Sequence, residues 1–149
     1  MRRDPFEMLE RCHRRLEETL AGLRTSSPPS RQLVDEALAF IDRAVRRHED
    51  DEEQSLFPRL ARVPQLAGLL DRLTVQHRDQ TALVEELRGL MDAPNPDEAR
   101  LTDVIARLEA AYRTHILVEE RELFPAAKAA LDADDLGGMA SEMDARRGR

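Results

Sequence analysis

His48-Glu49-Asp50-Asp51-Glu52-Glu53-Gln54-Ser55-Leu56-Phe57-Pro58 aligns without a gap to His115-Ile116-Leu117-Val118-Glu119-Glu120-Arg121-Glu122-Leu123-Phe124-Pro125. The shared pattern is H-x3-E-E-x2-L-F-P, repeated 67 residues on, from position 48 to position 115. A His and a Glu four residues apart share one face of a helix, one turn apart. Outward from each copy, apolar residues recur at spacings of three and four, the mark of a helix with one buried stripe. The first stripe reads Val34, Leu38, Ile41, Val45, His48, Glu52, Leu56; the second reads Leu101, Ile105, Leu108, Tyr112, His115, Glu119, Leu123. Each copy is preceded by a further amphipathic stretch, with Phe6, Leu9, His13, Leu16, Leu20 in one and Leu66, Leu70, Leu73, His77, Val84, Leu87, Met91 in the other. The chain therefore reads as two helix pairs related by an approximate internal twofold.

Punctuation between the stripes fixes the boundaries. Asp4-Pro5 is a helix start, with Asp as cap and Pro in the first turn. That helix runs to about Leu23 and breaks in Thr25-Ser26-Ser27-Pro28-Pro29. Ser30 caps a second helix that continues to Phe57-Pro58, and a third runs from about Val63-Pro64 to Met91. Asp92-Ala93-Pro94-Asn95-Pro96 turns the chain, Asp97 caps a fourth helix, and that helix reaches about Leu131 with Pro125 as a kink or break. Short connections between four such helices predict an all-α fold, an antiparallel up-down four-helix bundle over residues 1–131. Residues 132–149 read as a C-terminal tail with room for a short helix, and as the part most ready to fray.

Composition agrees. The 149 residues include 21 Leu and 19 Ala against ten Val and Ile together, and aromatics are 3% with no Trp. Leu and Ala lose little rotamer freedom in a helix, whereas β-branched residues lose more. A length of this size supports one domain. The net charge of −7 argues against nucleic acid and anionic membrane as partners. No apolar run approaches the 18 residues of a span, Met1-Arg2-Arg3-Asp4-Pro5 leads into no apolar signal core, and a single Cys cannot form an internal disulfide; a cytoplasmic location is the expectation. The Arg pairs at 2–3, 14–15, 46–47 and 146–147 read as solvated faces with acidic neighbours.

The polar residues inside the stripes carry the chemistry. All four His of the protein lie there, one per helix, and Glu52 and Glu119 are the carboxylates that accompany them. An ionised Glu buried in a Leu/Ala core costs several kcal/mol unless it is paired or binds a metal. No cationic side chain shares the seam, whereas two divalent ions, each taking two His and both bridged by the two Glu, would neutralise it. Imidazole with carboxylate suits iron, zinc, manganese or nickel, and two carboxylate bridges inside a helical bundle favour a di-iron pair.

At these residues the sequence resembles the hemerythrin-like family, in its bacterial HHE cation-binding branch, over about residues 4–131. The resemblance implies a non-haem di-iron centre held by His13, His48, Glu52, His77, His115 and Glu119. The cofactor it implies is two iron ions with an oxo or hydroxo bridge, zinc or manganese being the lesser alternatives. Members are associated with binding of oxygen, sensing of oxygen or iron, and handling of nitric oxide or peroxide. Two departures bear on this. Oxygen carriers have a fifth His one turn from the third-helix His, where this chain has Leu73 and Thr81. Their second carboxylate is an Asp five residues after its His, where this chain has Glu119 at four. Both metal ions would then keep an open position, which favours redox handling or sensing of O2, NO or peroxide over bulk transport.

Several neighbours are further candidates. Glu49 is a possible extra ligand, although its helix angle is about 100° from His48. Tyr112, one turn before His115, is a possible hydrogen-bond partner of a bound ligand. Cys12 reads as a boundary thiol. Glu53 and Glu120 read as exposed charges or as acceptors for a ligating His ring, and Phe57-Pro58 and Phe124-Pro125 as covers that limit solvent access. No nucleophile triad or phosphate loop offers a rival site. The reading leans to binding rather than turnover; as an enzyme the protein would be a di-iron oxidoreductase. The alternative is a non-catalytic iron- or oxygen-responsive module acting through a protein partner.

Overall fold

Asp4 starts the first helix as its sequence position predicts: its side chain accepts from the Phe6 N–H at 2.8 Å, and Pro5 fills the first turn. The computed structural model describes residues 3–26 and 28–149. Met1, Arg2 and Ser27, which belong to the leader, the first Arg pair and the first break, lie outside the described residues. Helix α1 is Pro5–Thr25. Helix α2 spans 31–60 as one continuous rod, capped by Ser30, whose hydroxyl accepts from the Leu33 N–H at 3.1 Å. It alternates α-turns (Arg31–Phe40, Arg46–Asp50, Phe57–Leu60) with wide π-turns at Ile41–Val45 and Asp51–Leu56. A 3-10 turn, Pro64–Leu66, leads into α3, Ala67–Met91. Asp97 caps α4 by accepting from the Ala99 and Arg100 N–H groups. Helix α4 spans 98–130, with α-turns Glu98–Val118 and Phe124–Ala130 around a π-turn at Glu119–Leu123. No strand occurs among the described residues.

The first Leu-Phe-Pro sequence lies at the end of α2, which closes at Leu60, whereas the second does not break α4, which runs on to Ala130. In each copy the Phe N–H reaches five residues back, Phe57 to the Glu52 carbonyl and Phe124 to the Glu119 carbonyl. This wide turn shifts the register immediately before Pro58 and Pro125, the residues that lack an N–H to donate. The bulge and the proline recur together in both copies, so the H-x3-E-E-x2-L-F-P repeat is also a repeat of backbone shape.

The tail is more than a frayed end. Asp132 and Asp135 form a reciprocal capping box that starts α5, Ala133–Arg146. Its Met139, Ala140 and Met143 are buried, and α5 packs on α1 and on the Asp51–Leu56 turn of α2. The reading of Arg146 and Arg147 as a solvated face is overturned. Both guanidiniums bond the wholly buried Asp51, whose charge is costly out of water unless paired.

Consecutive helices α1–α2 and α3–α4 pack together, and α1 also packs on α4 and α2 on α3. Two apolar clusters result. One gathers Leu16, Leu20, Leu38, Val45, Val84, Leu87, Leu108 and Tyr112; the other gathers Phe6, Leu9, Leu56, Phe57, Leu73, Leu123 and Phe124. Along α1 and α3 the second cluster precedes the first, and along α2 and α4 it follows. In α1, α2 and α3 the His falls between the two, and in α4 His115 sits at their border beside Ile116 of the first.

Candidate metal centre

The layer between the clusters holds His13, His48, Glu52, His77, His115 and Glu119, none more than 5% exposed. Each Glu takes the His of its own H-x3-E unit and one His from the other helix pair. Glu52 lies 3.1 Å from His48 Nε2 and 3.0 Å from His77 Nε2. Glu119 lies 3.2 Å from His115 Nε2 and 2.9 Å from His13 Nε2. Further contacts join the halves, with His48 Nε2 3.6 Å from Glu119 and His115 Nε2 4.0 Å from Glu52. The internal twofold of the sequence is thus a twofold of ligand geometry.

Six donors make two groups of four. His13, His48, Glu52 and Glu119 offer donor atoms within 4.8 Å of one another, and so do Glu52, His77, His115 and Glu119. Both groups contain both carboxylates, and each group could hold a metal ion. Donors about 2.0–2.1 Å from one ion and at right angles lie about 3 Å apart, which the short Nε2–carboxylate distances match. Glu119 Oε2 is buried and makes no aligned hydrogen bond, with His115 Nε2 3.2 Å from it, and Nδ1 of His48 and of His77 have no hydrogen-bond partner. An acceptor-only oxygen left in this way among ring nitrogens, with no Lys or Arg in the layer, fits a cation.

The rings are held from behind. His13 Nδ1–H donates to Glu120 at 2.6 Å, and Arg14 pairs with the same carboxylate oxygen. His115 Nδ1–H donates to Gln76 Oε1 at 2.7 Å. These bonds commit Nδ1 and aim Nε2 at the centre. Glu53 stands at 3.6 Å from His77 Nδ1, beyond a good hydrogen bond. Phe124 stacks on His13 with its ring 4° from parallel, and Phe57 stacks on His77 at 5°. The two Phe therefore do more than cover an end: each fixes the plane of an imidazole from the other helix pair.

Electrostatics of the metal-free layer are strongly perturbed. Burial opposes the charged ring of His77, but its hydrogen bond to Glu52 and the charges of Glu52, Glu49 and Glu119 raise it to about 9. Burial opposes the charge on His48 too, yet Glu52 leads the groups that push it well above its usual range. Glu119 is opposed by burial, but the charge of His115 and bonds to Glu52, His115 and His13 hold it well below the carboxylate range. His48, His77 and Glu119 are thus charge-paired in the layer, and a cation entering it competes with protons.

Beside the layer, on the Leu16–Val45 side, lies a cavity of about 10 Å³ lined by Cys12, His13, Leu16, Val45, His48, Glu49, Gln80, Tyr112, His115 and Ile116. That volume suits one water-sized molecule. Glu49 and Tyr112 line this cavity and stand outside both groups of four. Burial raises the Glu49 carboxyl to about 7, against the opposing pull of His77, and burial raises the Tyr112 phenol. Gln80 is 2% exposed and its Nε2 has no hydrogen-bond partner. Cys12 makes a long contact from Sγ to the Ala44 carbonyl, 4.0 Å.

Sequence reasoning missed three of these residues. Gln76 and Gln80 sit beside His77 on α3, but a glutamine at helical spacing carries no signal of its own. Asp51 did leave one: the repeat aligns it with Val118, an apolar position, so an inward face was legible.

The chain matches the hemerythrin HHE cation-binding domain over residues 4–127. It is also 31% identical to a protein of Haemophilus influenzae described only as uncharacterized, over an alignment covering 97% of this chain and 90% of that one. No helix among the described residues is long and apolar enough to cross a membrane. With six buried His and Glu side chains gathered into two groups that could hold a metal ion and the family match spanning nearly the whole chain, the protein belongs to the hemerythrin HHE cation-binding family.

Proposed function

We propose that this protein is a non-haem di-iron protein that binds or reacts with O2, NO or peroxide, in redox handling or sensing rather than bulk oxygen transport. The observation that carries this reading is the sharing of Glu52 and Glu119 between two four-donor groups that adjoin a one-molecule cavity. The alternating order of the two apolar clusters supports an up-down four-helix bundle as the scaffold. His13 and His48 would hold one ion, His77 and His115 the other, and both Glu would bridge. Iron in such a mixed imidazole and carboxylate set supplies reversible one-electron chemistry and an open position for a small ligand.

The chain's own residues do the rest. Leu16, Val45 and Ile116 exclude bulk water from the cavity and limit entry to small molecules. Gln80 Nε2 has a hydrogen to donate and no protein acceptor, so an oxygen atom of a guest completes its bonding. Glu120 and Gln76 hold His13 and His115 in the ligating tautomer, and the stacked Phe124 and Phe57 rings fix the planes of His13 and His77. A reducing cytoplasm is the compartment that suits a ferrous resting state and a free Cys12.

The test is anaerobic reconstitution with iron(II), followed by absorption spectra on adding O2, NO or hydrogen peroxide. Iron-dependent spectral changes with each added ligand, lost in His115→Ala, support the reading. A spectrum indifferent to all three, or unchanged by His115→Ala, overturns it.

A further inference from the structure

Asp51 is the neighbour of Glu52 in the chain, and it is the point at which α5 grips α2. Its carboxylate is fully buried and accepts three charge-assisted hydrogen bonds from two residues. Arg147 donates from Nη2 to Oδ2 at 2.6 Å and from Nη1 to Oδ1 at 3.1 Å, and Arg146 donates from Nη1 to Oδ1 at 3.0 Å. Arg146 Nη2 also donates to Ser55 Oγ at 2.6 Å. Ser55, likewise fully buried, donates to Glu142 of α5 at 2.5 Å, and Arg59 donates to both oxygens of Glu142. Every one of these bonds ties α5 to the Asp51–Leu56 wide turn or the residues just after it, the segment that delivers Glu52.

The clasp is one-sided. In the second copy of the repeat Val118 replaces Asp51 and Glu122 replaces Ser55. Glu122 is exposed and pairs with Arg72, far from α5 in its bonding. Only one of the two bridging carboxylates is therefore held by a fifth helix. The clasp is also unstable without its central acid. Arg146 and Arg147 bond Asp51, Arg59 bonds Glu142 and feels Asp135, and Arg47 feels the charges of both Arg147 and Asp51. A buried carboxylate bonded by two guanidiniums has one low-energy position, because displacement strands charges out of water.

We propose that α5 is a latch that positions Glu52: the Arg146–Asp51–Arg147 clasp holds the wide turn of α2 in ligating register, so that cation binding and α5 docking strengthen one another. The coupling is reciprocal by thermodynamic necessity. A docked α5 presents Glu52 to both cation groups, and an ion on Glu52 fixes Asp51 for the two Arg. Release of α5 is then the outward sign of an emptied centre, an output that a sensor of iron or of an iron-bound ligand requires. The inference rests on the cation-binding reading above, and Asp51, Arg146 and Arg147 are positioning residues that touch no ligand.

The test is amide hydrogen exchange on the full chain, without metal and loaded with zinc(II) or iron(II), in the native protein and in Arg146→Ala/Arg147→Ala. Metal loading is expected to slow exchange in 133–146 by tenfold or more in the native protein. In the double variant that response is lost while residues 31–40 keep theirs, and zinc(II) affinity falls about tenfold. Arg146→Lys/Arg147→Lys restores part of both. A merely structural clasp would lower the melting temperature of the metal-free protein yet leave the affinity unchanged. If the Ala variant does not fold, the native comparison decides alone: slowing in 133–146 beyond that in 31–40 supports the latch, and equal slowing overturns it. Failure of the native protein to bind zinc(II) or iron(II) would instead overturn the cation-binding reading.

Discussion

Gln80 is where one side chain decides what the cavity prefers. Its Nε2 is buried beside the ligand layer with no acceptor, and leaving such a donor unpaired costs about 1–3 kcal/mol. A guest with an oxygen or nitrogen acceptor recovers that cost. Gln80→Leu removes the donor at similar volume. In the iron-loaded protein this change is expected to weaken binding of azide, a stable acceptor-bearing probe, by about tenfold, or roughly 1.4 kcal/mol, with iron content unchanged. An equal azide affinity in a titration followed by absorbance would remove Gln80 from the site. The six principal ligands were legible because His and Glu are conspicuous in an apolar stripe and recur at a fixed offset. Gln80 and Gln76 were not, since an amide on a helix is equally at home in water and its burial depends on the neighbouring helix.

Helix ends and wide turns dominate at the next scale. Asp97 accepts two N–H groups at the start of α4, so Asp97→Ala should cost about 1 kcal/mol in urea unfolding, the usual worth of a cap. An unchanged midpoint would show that the Pro-rich turn holds that end unaided. Docking of α5 carries a pH signature through Glu142. Its bonds to Arg59 and Ser55 lower this carboxyl from 4.5 to about 2. A depressed carboxyl stabilises the folded form fully above its unfolded value, and that contribution disappears as pH falls through the folded one. Exchange protection of 133–146 should therefore decline between about pH 4.5 and 2, and Glu142→Gln should flatten this decline; protection constant across that range would contradict the assignment. The boundaries of α1, α3 and α4 were readable from Asp, Ser and Pro. The wide turns were not, because a π-turn keeps right-handed helical dihedrals and is made by register alone. The tail was underread for a similar reason: Met139 and Met143 look sparse until α1 and α2 supply their other half.

At the level of the whole molecule, the fold is two apolar clusters held apart by a charged layer, an arrangement that is costly without an ion. In the metal-free protein burial opposes the charge on Glu119, and the charge of His115 with bonds to Glu52, His115 and His13 offsets it. Anything that binds the folded form alone stabilises it by mass action, about 2.7 kcal/mol at a free concentration 100 times the Kd. Zinc(II) should accordingly raise the melting temperature by several degrees, and Glu52→Gln should abolish most of that rise. A melting temperature indifferent to zinc(II) would mean that the layer is a closed ion-pair network. The acidic balance of −7 also takes on a different meaning here, since Glu52, Glu119 and Asp51 contribute to it from the interior rather than from the surface. The all-helical class followed from Leu and Ala content and the stripes, while the pairing of each Glu with a His of the other helix pair needed the three-dimensional arrangement.

The central claim is that one chain holds two adjacent cations bridged by the same two carboxylates. Native mass spectrometry of protein reconstituted anaerobically with iron(II) counts them directly. The account predicts two irons per chain, loaded together with little of the singly occupied form, and loss of both in Glu52→Gln. A single iron per chain, or iron retained in full by Glu52→Gln, would contradict it.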